Sequence, residues 1–198
     1  MNITDYAEQI FTSKPIIVNK TQDLRDRIQQ ISESMFSNDR QSHGRTLEQI
    51  VNANKQSVAE FALEQHCPSL VMNQREWSKA DPHSYAYDNV DLRNNKTFEI
   101  KRWPKNQPTG KLADWFSYPE DALDTLHKNI SLVDYVLSGK IIEHSEYYEV
   151  GFHMIADGPS FFKYMKRSMY KATEMVYYHA NAMRDGNCIR NMNVTYGA

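Results

Sequence analysis

Cysteine is scarce in this chain. The 198 residues contain two, Cys67 and Cys188, and no metal-ligand spacing relates them. The plain expectation is a reducing cytoplasm with both thiols free. The seven histidines fall on different predicted elements, with no H-x-x-H spacing among His66, His83, His127, His144 and His153, which argues against a zinc site. No G-x-S-x-G supports serine hydrolase chemistry. The one candidate phosphate loop, at Gly110 and Lys111, lacks nucleotide-binding spacing. No apolar run approaches membrane-spanning length, so no membrane partner is expected. The first residues, Met1 to Tyr6, have neither the basic nor the apolar region of a signal peptide. No internal repeat or low-complexity tract occurs. The net charge of -2 does not advertise a nucleic-acid binder.

What the chain does contain is a charged hairpin. From Val90 to Lys101 it reads VDLRNNKTFEIK. Asn94 and Asn95 tolerate the positive φ of short hairpin loops, and Tyr85, Tyr87, Thr97 and Phe98 are strand formers. Side chains alternate between faces along a strand. On the second arm Phe98 and Ile100 share one face, and Thr97, Glu99 and Lys101 the other. On the first arm Val90 and Leu92 share one face, and Asn89 and Asp91 the other. Aligning the apolar faces brings Asp91, Glu99 and Lys101 together and leaves Asp88 with the apolar set. Parity therefore favours Asp91 over Asp88 as the partner of Glu99. A bulge after the turn would shift that register by one residue.

Two carboxylates beside an ammonium are costly unless a cation sits between the acids. Mg²⁺ is hard, prefers oxygen ligands and keeps several waters, so one or two carboxylates and a substrate phosphate suffice. Asp91 and Glu99 are the candidate metal ligands, with the backbone carbonyl of Ile100 as a third. Lys101 is placed to orient or deprotonate an attacking water, or to neutralise developing charge. Surface charges on an edge hairpin are the competing explanation, and Glu-x-Lys is a common tripeptide.

The pattern resembles the PD-(D/E)xK nuclease superfamily. Asp91 matches the lone Asp, with Val90 where the usual Pro stands, and Glu99, Ile100 and Lys101 match the E-x-K element. The helical stretch GRTLEQIV from Gly44 to Val51 resembles the family's Glu-bearing helix, making Glu48 a further metal or water contact. A weaker match on the same predicted helix, KQSVAEFAL from Lys55 to Leu63, offers Glu60. The resemblance covers about residues 44–157. It implies an α/β fold, a central mixed β-sheet flanked by helices, and a Mg²⁺-dependent endonuclease hydrolysing DNA, with Mn²⁺ as a substitute cation. A ribonuclease, or a non-catalytic nucleic-acid- or protein-binding module of the same fold, are the alternatives. A homodimer is compatible with the small size.

One domain is expected for residues 1–198, with helical extensions at both ends of the core. Basic residues follow the hairpin at Arg102, Lys105 and Lys111, and recur at Lys163, Lys166, Arg167 and Lys171. Such groups beside an acidic metal site suit DNA phosphates, since phosphate contacts supply most non-specific affinity. Periodicity predicts helices over about 21–35 and 45–66, the latter ended by Pro68. It predicts the hairpin over 85–103, a short helix over 119–129 and a strand over 132–137 stopping at Ser138 and Gly139. A strand over 147–156, a helix opening at Pro159 and a helix over 172–184 complete the pattern. Residues 1–20 and the tail from Asn187 show little pattern.

Overall fold

The computed structural model describes residues 1–37, 46–48, 51, 57–73, 87–102, 115–119, 133–167 and 174–196. Within them the chain runs α1 (Ile3–Ile10), β1 (Ile16–Asn19), α2 (Gln22–Ser37), α3 (Ser57–His66), β2 (Leu70–Met72), β3 (Asn89–Asp91) and β4 (Thr97–Arg102). It continues through β5 (Trp115–Pro119), β6 (Tyr135–Glu143), β7 (Tyr147–Asp157), α4 (Gly158–Lys163), β8 (Met165–Arg167), β9 (Glu174–Tyr178), α5 (His179–Arg184) and β10 (Cys188–Arg190). The fold is mixed α/β, as the pattern predicts. The predicted helix over 119–129 falls outside the described residues except for Pro119, which ends β5.

The main sheet has the order β1-β7-β6-β4-β3-β2, with β10 also paired to β7. Only β4 and β6 run parallel; the remaining pairs are antiparallel. A second sheet has the order β5-β9-β8. Each face of the main sheet carries its own core. On the first face Phe98, Ile100, Tyr135, Leu137 and Phe152 pack with Tyr6 and Ile10 of α1, Leu24 of α2, and Val58, Ala62 and Leu63 of α3. On the second, Val136, Met154 and Ala156 pack with Phe161, Met165, Tyr177 and Ala182. Val136 and Leu137 thus belong to opposite cores, as strand alternation requires.

Several elements differ from the sequence pattern for identifiable reasons. Helix α1 opens with a capping box, Asn2 accepting from the Thr4 and Asp5 amides while the Asp5 carboxylate accepts from Asn2 N–H. Strand β6 does not stop at Ser138 and Gly139; it runs on to Glu143 through a register shift at those two residues. The predicted helix over 172–184 divides. Glu174–Tyr178 is strand β9, paired along its length with Trp115–Pro119, and only His179–Arg184 is helical. β-Branched and aromatic residues there find a partner strand, which overrides helical spacing.

The C-terminal residues lie across β7. Asn191 Nδ2 donates to the Thr12 and Phe152 carbonyls, and Thr195 N–H donates to the Ser13 carbonyl. His153 is buried, with Nδ1 3.0 Å from the Asn191 carbonyl oxygen and Nε2 2.5 Å from Tyr196 Oη, and burial lowers its pKa. A Cβ on Gly151 would stand 2.4 Å from Tyr196 Oη and 2.9 Å from Val194 Cγ1. Gly151→Ala is therefore expected to cost about 1–3 kcal/mol in urea unfolding. The loss should shrink in a Tyr196→Phe background, and an equal loss would contradict the clash.

Both cysteines are buried and free. Burial pushes the Cys67 thiol up to about 11 and the Cys188 thiol up to about 12. A thiol reagent at pH 8 should find neither in the folded chain and both after unfolding; rapid labelling of the native protein would contradict this.

Candidate functional site

The hairpin forms where the sequence places it, but its register is not the expected one. Asn89 pairs with Phe98 and Val90 with Thr97. Asn89 and Asp91 consequently share the face of Phe98 and Ile100, opposite to Glu99 and Lys101. The parity expectation fails because the buried positions of β3 are polar. Asn89 Nδ2 donates to the Glu60 and Leu70 carbonyls at 3.3 and 3.0 Å. Leu92, read as an apolar-face residue, lies exposed in the turn, where Asn95 adopts φ 60°.

Asp91 is fully buried and fully engaged. Its carboxylate accepts from Tyr6 Oη at 2.7 Å, from Arg93 Nε and Nη2 at 2.9 and 2.8 Å, and from the Arg93 amide at 3.0 Å. Burial works to raise this carboxyl, but the Arg93 and Tyr6 bonds outweigh it and hold it below its ordinary value. Asp91 thus pins α1 to the hairpin turn.

Glu99 and Lys101 stand on the second face of β4, next to Val136 and Ser138 of β6. Glu99 is buried, and the Lys101 ammonium donates to its carboxylate. Asp88 lies just before β3. Its carboxylate accepts from the Ile100 amide at 2.6 Å, and its own amide donates to the Phe98 carbonyl at 2.8 Å. Asp88 therefore clasps the Glu99–Ile100 peptide unit. The Ile100 side chain is buried in the first-face core, which fixes that peptide from the other side.

Glu60 completes the group. It lies on α3, buried, with its carbonyl held by Asn89. Burial raises its carboxyl well above the ordinary range. The negative charges of Asp88 and then Glu99 raise it further, and only Lys101 opposes them. Glu60, Asp88, Glu99 and Lys101 therefore occupy one electrostatic neighbourhood, assembled from α3, the start of β3 and β4. Glu48 is exposed. Arg102 ends β4, paired with Gly139, while Lys105 and Lys111 lie outside the described residues.

The structure thus brings Glu99 and Lys101 together as expected, sets Asp91 on the opposite face, and places Asp88 and the buried Glu60 near them while Glu48 is exposed. The signal for Asp88 was its spacing to Glu99 once a bulge is allowed. The signal for Glu60 was the second helical match. The donors are all hard carboxylate oxygens, the chemistry that suits Mg²⁺. Among the described residues no three acidic, histidine or cysteine side chains close into a ready-made cage. An ion held by two carboxylates and several waters needs none. No helix among the described residues is long and apolar enough to cross a membrane.

No family model, no curated protein and no solved structure matches the chain. Its chemistry has to be judged from these residues themselves.

Proposed function

We propose that the chain is a Mg²⁺-dependent endonuclease that hydrolyses DNA, with its centre at Asp88, Glu99, Lys101 and Glu60. One observation carries this reading: on β4 the Lys101 ammonium bonds the buried Glu99 carboxylate, while the Asp88 carboxylate accepts from the Ile100 amide between them. Like charges held together out of water are costly, and a divalent cation would offset that cost. The order of helix acid, aspartate strand and E-x-K strand adds support through the resemblance to PD-(D/E)xK nucleases.

Asp88 and Glu99 would hold the ion, with the Ile100 carbonyl as a further ligand, and Glu60 would bind one of its waters. Bound there, Mg²⁺ would polarise the scissile phosphate and lower the pKa of a water. Lys101 would give up its bond to Glu99 and turn its ammonium to the phosphate or the attacking water, countering charge as it develops. Asp88 would also keep the Glu99–Ile100 peptide in place through the Ile100 amide. Arg102, Lys105 and Lys111 would meet the DNA backbone.

The assay is cleavage of plasmid, single-stranded DNA and RNA with Mg²⁺ or Mn²⁺. The expected result is DNA cleavage that EDTA abolishes. Cleavage of RNA alone would indicate a ribonuclease. Binding without cleavage of any substrate would indicate the non-catalytic module.

A further inference from the structure

Ser138 stands beside Lys101 at the same register on the parallel neighbour strand β6, so the two side chains share the second face of the sheet. It is fully buried, and its hydroxyl has no hydrogen-bond partner among the described residues. A buried hydroxyl left unbonded costs about 1–3 kcal/mol, so most such groups have partners. The surroundings explain why Ser138 has none. Across β7 it pairs with Met154, and its same-face neighbour on β6 is Val136, both part of an apolar core. The register shift between Ser138 and Gly139 further disturbs the ladder at this point. A small apolar side chain would suit the packing better than serine.

A donor on the same face of the neighbouring strand is the Lys101 ammonium. Facing side chains on adjacent strands lie about 5 Å apart at Cβ, well within the length of a lysine. That ammonium donates to the Glu99 carboxylate. If Glu99 takes a divalent cation, as the proposed function requires, the ammonium is repelled by the ion and must find another acceptor. We propose that Ser138 is a positioning residue, whose hydroxyl oxygen accepts the Lys101 ammonium in the cation-loaded centre and aims it at the substrate phosphate. This inference rests on the nuclease reading of the same centre.

Ser138→Ala tests it, with Ser138→Cys as a near-isosteric variant that keeps only a weak acceptor. Three quantities are compared with wild type: cleavage of plasmid DNA with Mg²⁺, thermal unfolding in EDTA, and the rise in melting temperature when Mg²⁺ replaces EDTA. The expected result for Ser138→Ala is kcat lower by about tenfold, one hydrogen bond's worth, with KM for DNA unchanged. Its melting temperature in EDTA should equal or exceed that of wild type, because an unbonded hydroxyl is gone. Its rise on Mg²⁺ addition should be smaller. Ser138→Cys should fall between the two. Equal kcat and equal Mg²⁺-dependent rise would overturn the role of Ser138 while leaving the nuclease centre intact. A fall in EDTA stability matching the fall in activity would also overturn it, since the hydroxyl would then be structural. A wild-type chain that cleaves nothing would refute the nuclease reading, and equal melting rises would then remove Ser138 as well.

Discussion

Lys101→Met should lower Mg²⁺-dependent DNA cleavage by about 10²–10⁴-fold, the usual loss when a positioned proton-transfer or charge-stabilising group is removed. The substitution keeps most of the stem volume and removes only the ammonium. Lys101 is largely buried, so packing by the stem should survive. DNA binding should fall far less than turnover, because backbone contacts elsewhere supply most affinity. Removing the ammonium also strips Glu60 of the one charge that opposes Asp88 and Glu99. The variant should therefore depend more strongly on added cation for its stability than wild type does. Single-turnover cleavage rates, referred to the folded fraction, measure the first effect, and melting with and without Mg²⁺ measures the second. Turnover within a factor of a few of wild type would exclude Lys101 from the chemistry.

The second large effect concerns stability. Asp91→Ala should destabilise the chain by about 3 kcal/mol, near the lower end for breaking a buried ion pair. Arg93 is partly exposed, its side chain 42% accessible, and can turn to water when its partner goes. Tyr6 is buried and would lose its hydrogen bond to Asp91, keeping only the Asn94 amide. The pH dependence follows from the lowered Asp91 carboxyl. A group whose folded value lies below its unfolded one stabilises above the unfolded value and loses that contribution as pH falls through the folded one. Native protein should therefore lose stability as pH drops below about 4, the ordinary Asp range. Asp91→Asn should flatten that acid limb. Urea unfolding between pH 2.5 and 7 provides the measurement. A loss under about 1 kcal/mol at pH 7, or an unchanged acid limb, would remove the tether from the account.

How far the sequence disclosed this centre depends on which residue is asked about. Glu99 and Lys101 were legible because both flank Ile100 on a strand whose alternation is clean, and Ile100 and Phe98 are fully buried. The aspartate was not, because binary patterning assumes that buried positions are apolar. In β3 the buried pair is Asn89 and Asp91, each satisfied by partners far away in sequence: the Glu60 and Leu70 carbonyls, and Tyr6. Those bonds make polar burial affordable, and nothing local to β3 announces them. The choice between the two helix acids was open for a similar reason. Glu48 and Glu60 stand on one predicted helix with comparable local patterns, and only the docking of α3 on β2 and β3 buries Glu60. Strands β1 and β10 were missed because both are short and take their place from pairing with β7. Helix α1 was missed as well, although Asn2 and Asp5 carry its capping box.

The most direct test sets Asp88→Asn against Asp91→Asn in the same cleavage assay. Both substitutions are isosteric and only three residues apart, and they separate the centre from the tether. Rates are taken with Mg²⁺ at neutral pH and a temperature where both variants are folded. Asp88→Asn should lower cleavage by at least about 10²-fold with little loss of stability, since the amide oxygen can still accept from the Ile100 N–H. Asp91→Asn should lower stability and leave cleavage per folded molecule within a few-fold of wild type. The reverse outcome, an inactive Asp91→Asn beside an active Asp88→Asn, would contradict the centre proposed here.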